Sequence, residues 1–155
     1  MKELNVPASM DFWKPVYDWL SAVILPWGCK EQTMRQIGIA VEELFTNIAS
    51  YAYERDGKRE TEGNEEAGGL RELPSSERRI LVEAQVGGSP PKVSVRLTDW
   101  GAPFDPFQRK DPDFQIPFDE RPVGGLGIYM VKQFMDNVKY ERLDGCNRIT
   151  VEKNL

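Results

Sequence analysis

The chain of 155 residues contains no histidine, and that one absence removes whole classes of chemistry. A Ser-His-Asp or Cys-His nucleophilic site is impossible in its usual form. Histidine-bearing zinc sites are excluded, and two cysteines, Cys29 and Cys146, cannot make a four-cysteine site. The chain cannot be its own histidine phosphoacceptor. Acid–base work falls to carboxylates, lysine, tyrosine or cysteine. The two cysteines permit one disulfide or two free thiols, and free thiols are expected of a cytoplasmic protein.

Positive charge is also in short supply. Twenty Lys and Arg stand against 25 Asp and Glu, a net charge of −5. The basic residues are scattered, which argues against nucleic acid or an anionic membrane surface as a partner. No apolar run approaches the roughly 20 residues of a membrane-spanning helix. The opening MKELNVPASM lacks the apolar stretch of a secretion signal. Hydrophobic residues make up 40% of the chain, enough for one domain with a real core.

Periodicity supplies the elements. Residues 2–6 alternate as a short strand. Phe12, Val16, Trp19, Leu20 and Val23 follow helical spacing, with Asp11 able to cap the start, Pro15 in the first turn, and Pro26 and Gly28 at the end. A second helix is predicted over 31–53, its buried stripe made by Met34, Ile37, Val41, Leu44, Phe45, Ile48 and Ala52. Residues 56–79 break all periodicity and read as a mobile surface loop. Strands at 79–86 and 92–98 flank GGSPP, a turn signal, and form a hairpin. Residues 107–123 are polar and aperiodic and read as a flexible loop. GGLGIYMVKQFMDNV returns to helical spacing through Ile128, Val131, Phe134 and Met135, and strands at 138–142 and 148–153 close a last hairpin about DGCN. Trp13, Trp19 and Trp27 are expected in the core or at an interface. The order β, α, α, ββ, α, ββ predicts a two-layer α/β (α+β) sandwich of one domain, 1–155. Its mixed sheet is mostly antiparallel, with helices on one face.

Three segments carry polar groups that packing does not require. VEELFTNIASYAY is a core-packing helix, yet Glu43 and Asn47, four apart, project from one face. DWG, residues 99–101, ends a strand with an aspartate and a glycine. GGLG, residues 124–127, opens a helix with glycines, which let backbone N–H groups approach a phosphate at the positive helix end. Singly these are a solvated helix face, a turn and a loop.

In combination and order, the three resemble the nucleotide-binding boxes of the ATPases that include gyrase, the Hsp90 chaperone, histidine kinases and MutL, whose domain is the Bergerat fold. More narrowly, AVEELFTNIASYAY, LTDWGAPFDP and GGLGIYMVKQFMDNVKYERLDGCN resemble the bacterial anti-sigma factor serine/threonine protein kinases over nearly the whole chain. The resemblance implies ATP and Mg²⁺ as cofactors. Asn47 would hold Mg²⁺ through its side-chain oxygen, and Glu43 would be the general base. Asp99 would accept the adenine amino group beside Gly101, and Gly124, Gly125, Leu126 and Gly127 would meet the phosphates. Residues 107–123 would be the ATP lid, where Arg109, Lys110 and Arg121 could meet phosphate charge. The implied partners are a STAS-type anti-anti-sigma protein, which is phosphorylated, and an RNA polymerase sigma factor, which is sequestered; the protein would be a cytoplasmic homodimer with no direct nucleic-acid or membrane contact. Two departures stand out: the 56–79 segment is longer than expected of these kinases, and Trp100 between Asp99 and Gly101 either packs on the adenine rim or fills space beside the strand. A nucleotide-binding regulatory module without kinase activity is the first alternative. The ATPase portion of a two-component sensor is the second, and the missing histidine argues against it.

Overall fold

The computed structural model describes residues 1–53, 77–108, 110–113, 115 and 125–155. Five strands form one sheet: β1 (Lys2–Pro7), β2 (Arg79–Gly87), β3 (Lys92–Asp99), β4 (Asn137–Leu143) and β5 (Cys146–Asn154). Their order across the sheet is β1-β2-β3-β5-β4, and every pairing is antiparallel. Three helices, α1 (Trp13–Ile24), α2 (Glu31–Asn47) and α3 (Leu126–Phe134), pack on it.

Register explains why the helices gather on one face. Val82 and Ala84 of β2 lie opposite Leu97 and Val95 of β3, and Ile149 and Val151 of β5 continue these two rows; Ile80 and Val93 point to the same face. All are buried in one cluster with Val16, Leu20 and Ile24 of α1, Ile37, Val41, Leu44 and Phe45 of α2, and Ile128 and Val131 of α3. Each fully buried Val, Leu, Ile or Phe among them contributes about 1.5–3 kcal/mol of transfer free energy, before the entropy of ordering it. The opposite face carries Glu83, Gln85, Ser94, Arg96, Arg148 and Thr150, with Arg96 paired to Glu83 at 3.4 Å. That is the pattern of an antiparallel sheet covered on one side.

Several boundaries differ from the sequence reading. Met10–Phe12 is a separate 3-10 turn, and its cap is Ser9, whose Oγ accepts the Asp11 N–H at 3.3 Å; Asp11 caps nothing. Helix α1 tightens into a second 3-10 turn, Leu25–Trp27, that stops at Gly28 in the left-handed region. The predicted 31–53 helix is α-helical only to Asn47. Ile48–Ala52 continues it as a π-helical turn, a widening frequent at functional sites. Both ends of the last hairpin run longer than expected, because Asp144 (φ 52°) and Gly145 (φ 79°) make a two-residue turn and release Cys146 and Asn147 into β5. The start of the presumed 107–123 loop is a 3-10 turn, Pro106–Gln108, and Asp111 further on pairs with Lys132 at 2.7 Å. Both cysteines are free and buried. Trp13 packs on Tyr17 and Phe45, whereas Trp27 is half exposed rather than in the core. Most of the expected 56–79 insertion lies outside the described residues. Its end is placed: Arg79 opens β2, and the Arg78 carbonyl accepts the Ala8 N–H.

Candidate functional site

Helix α2 and its π-helical extension form one rod along which the candidate residues gather. Glu43 and Asn47 sit one turn apart, and the Asn47 amide donates to Glu43 Oε1 at 3.0 Å. A carboxylate only accepts, so this contact fixes the amide with its nitrogen toward Glu43. Asn47 Oδ1 has no donor among the described residues. The projection of both side chains from one face is therefore as the spacing predicts.

The N-terminus of α3 abuts the same carboxylate. Gly125 precedes the helix with φ 95°, a conformation that suits glycine. Gly127 lies so close that a Cβ there would stand 2.0 Å from Glu43 Cδ. Only glycine lets the first turn of α3 press against Glu43, and that turn's leading N–H groups have no intrahelical partner. Leu126 opens the helix and is exposed. Gly124, Arg109 and Arg121 lie outside the described residues, and Lys110 is exposed.

The other end of the rod meets the turn after β3. A Cβ on Gly101 would stand 2.0 Å from the Ala52 carbonyl oxygen, and the Ala102 N–H donates to that oxygen at 3.1 Å. The Tyr53 hydroxyl donates to the Arg79 carbonyl at 2.5 Å and accepts the Trp100 N–H at 3.1 Å, clamping the turn. Trp100 itself is 41% exposed.

Asp99 is 2% exposed. Its Oδ1 accepts the Gly101 N–H at 2.9 Å and the Asn147 amide at 2.8 Å. Burial pushes the Asp99 carboxyl above its ordinary range, and these hydrogen bonds and the nearby Arg142 guanidinium only partly offset that. Burial raises the Tyr53 phenol too.

The sequence reading missed Asn147, Tyr140 and Arg142. Asn147 is held by Tyr140 at 2.8 Å and Arg142 at 3.0 Å, and Arg142 also donates to the Gly101 carbonyl at 2.9 Å. The available signal was the D-G turn in LDGCN: read as a two-residue turn, it places Asn147 inside the last strand.

From Glu43 to Ala52 the rod advances about 13 Å at helical rise. The rod thus has a carboxylate, a carboxamide oxygen and a helix N-terminus at one end, and a buried aspartate at the other. Such a set suits a ligand with anionic and amine-bearing ends. Among the described residues no three His, Cys, Asp or Glu side chains cluster as a metal site. A cation here would draw on one protein oxygen and on ligand oxygens and water, which suits Mg²⁺.

Comparison with known proteins gives a consistent picture. The family model described as histidine kinase-like ATPase domain matches residues 6–153. Over 60 residues, 39% of this chain and 42% of the relative, the sequence is 35% identical to the serine/threonine-protein kinase BtrW of Bordetella bronchiseptica. It is 27% identical to the serine-protein kinase RsbW of Bacillus velezensis over 148 residues, 92% of this chain and 79% of that protein. The Bacillus subtilis RsbW is 26% identical over the same shares. Among solved structures, the RsbU and RsbW domains of Rv1364c from Mycobacterium tuberculosis superpose with a TM-score of 0.57 at 13% identity, over all of this chain and 33% of that one. That likeness shows the fold. No helix among the described residues is long and apolar enough to cross a membrane.

Proposed function

The chain belongs to the histidine kinase-like ATPase family, and on that premise we propose that it is an ATP-dependent serine/threonine protein kinase of the anti-sigma type. It phosphorylates a STAS-type anti-anti-sigma protein and sequesters an RNA polymerase sigma factor, in the cytoplasm and as a homodimer. The relatives named as serine or serine/threonine kinases support this reading. The observation that carries it is the meeting of Glu43, Asn47 and the α3 N-terminus at Gly127.

In this reading each group has one task. The leading N–H groups of α3, behind Gly125, receive the phosphates. Asn47, its nitrogen spent on Glu43, offers Oδ1 to Mg²⁺, a hard cation that prefers oxygen. Magnesium, when bound, neutralises phosphate charge. Asp99, its Oδ1 occupied, offers its other oxygen to the adenine amino group, and Gly101 permits close approach. Glu43 orients and deprotonates the attacking hydroxyl. Phosphoryl transfer asks of the protein mainly positioning and charge stabilisation, which this set supplies. The decisive experiment is incubation with labelled ATP and candidate partner proteins. A phosphoserine or phosphothreonine on a retained partner supports the kinase. Tight nucleotide binding with no phosphoprotein, across cognate partners, would leave a binding module.

Two effects on binding follow. Asn47→Ala should weaken Mg·ATP binding about 100-fold, the upper range for losing a well-placed metal-site group. Titration calorimetry with and without magnesium checks it, and wild-type affinity would refute the metal role. The raised Asp99 carboxyl should make ATP binding fall on acidification earlier than an exposed aspartate would. The sign is this: burial makes the folded protein hold the Asp99 proton more tightly, so the acceptor charge is lost at a higher pH. For the nucleotide-free protein the linkage runs the other way. Asp99's stability contribution is full below its unfolded pKa and is lost as pH rises through the folded one. A binding series across mildly acid pH, with Asp99→Asn as the comparison, tests this: Asp99→Asn should flatten the acid limb.

A further inference from the structure

Thr98, Asp99 and Asn147 are the buried polar residues among those described, and Asp99 and Asn147 face each other across β3 and β5. The contacts of Asn147 permit one orientation of its amide. Its nitrogen donates to Asp99 Oδ1 and to the Ala102 carbonyl, both at 2.8 Å. Its oxygen accepts from the Tyr140 hydroxyl at 2.8 Å, Arg142 Nη1 at 3.0 Å and the Phe104 N–H at 3.3 Å. Turned over, the amide would set its own N–H groups against the Arg142 and Phe104 donors and its oxygen against two acceptors. Tyr140 and Arg142 come from β4, so the final hairpin locks the amide that holds the carboxylate.

Asp99 Oδ1 thus has two donors, Asn147 and the Gly101 N–H, while no donor among the described residues reaches Oδ2. Two hydrogen bonds on one oxygen prevent the carboxylate from turning. An acceptor held this way suits a ligand amine and repels a ligand carbonyl.

We propose that Asn147 is a positioning residue that sets the base preference of the cleft: it fixes Asp99 as an oriented acceptor for the amino group of adenine, against the carbonyl that guanine presents there. The inference rests on the reading that Asp99 meets the base. Tyr140 and Arg142 act one step further out, through Asn147.

Affinities for Mg·ATP and Mg·GTP, measured by calorimetry on the whole chain, test it. Asn147→Leu should weaken ATP about tenfold, the scale of one hydrogen bond to a charged group, while GTP changes by about twofold or less. Asn147→Asp keeps the size but supplies no amide donor, and should not restore the ATP preference. Should the Asn147 variants fail to fold, as judged by circular dichroism and thermal melting, Tyr140→Phe decides. It removes one hydroxyl and should lower the ATP-to-GTP ratio about threefold. Equal weakening of both nucleotides, or an unchanged ratio, would overturn the inference and leave Asn147 a structural residue. No adenine preference in the unaltered protein would overturn the Asp99 reading and this inference together. A preference that survives the variants would overturn this inference alone.

Discussion

Glu43→Gln should leave Mg·ATP binding close to that of the unaltered protein and slow phosphoryl transfer by about 10²–10⁴-fold, the usual worth of a positioned general base. The substitution is chosen for what it keeps. A glutamine oxygen can still accept the Asn47 amide that now reaches Glu43 at 3.0 Å, and a carboxamide has the size of the carboxylate lying against Gly127. The change removes basicity and charge while preserving the wall. Single-turnover transfer to a partner protein, set beside an equilibrium titration of ATP, separates the two effects. Binding that falls as far as the rate would point to a structural part for Glu43. An unchanged rate would take it out of the chemistry.

Gly101→Ala is the second large effect, and it is one of stability. A Cβ at 101 would stand 2.0 Å from the Ala52 carbonyl oxygen and 2.6 Å from its carbon, both backbone atoms that cannot rotate away. Relief requires the β3 turn to move off the π-helical turn, breaking the Ala102-to-Ala52 hydrogen bond and loosening the Tyr53 clamp. Overpacking of this kind costs about 3 kcal/mol, and a midpoint of thermal unfolding lower by roughly 10 °C would follow for a chain of this size. Gly87→Ala is the control, since a Cβ there meets nothing within 4 Å, and it should change stability by less than about 0.5 kcal/mol. Equal melting of the two variants would show that the Gly101 contact yields without cost.

The parts of the fold that depend on local periodicity could be read from the chain. Val93, Val95 and Leu97 alternate and lie buried in β3, and the stripe from Met34 to Phe45 is the buried face of α2. The Glu43–Asn47 pair was legible because helical spacing alone brings residues four apart together. What escaped depends on register or on competition between neighbours. Nothing in the letters of IASYA marks a π-helical turn; the Ala52 carbonyl leaves the helical pattern to meet Ala102, a partner 50 residues away. Ser9 and Asp11 are both good caps, and the backbone route into α1 chose the first. Asn147 looks like part of a turn until Asp144 and Gly145 complete the reversal by themselves. Its task then follows from lying opposite Asp99 in a ladder no short window can show. The Glu43–Gly127 contact was likewise hidden, since it joins two helices across the intervening hairpin.

The rod from Glu31 to Ala52 acts as a ruler. One unbroken piece of chain supports both ends of the cleft, so their separation is counted in residues and can change only in whole steps. Side chains along it can vary, but a single insertion between Asn47 and Ala52 would turn one end away from the other by about a hundred degrees. In sequence, the 54–76 segment begins just past the last mark on that ruler.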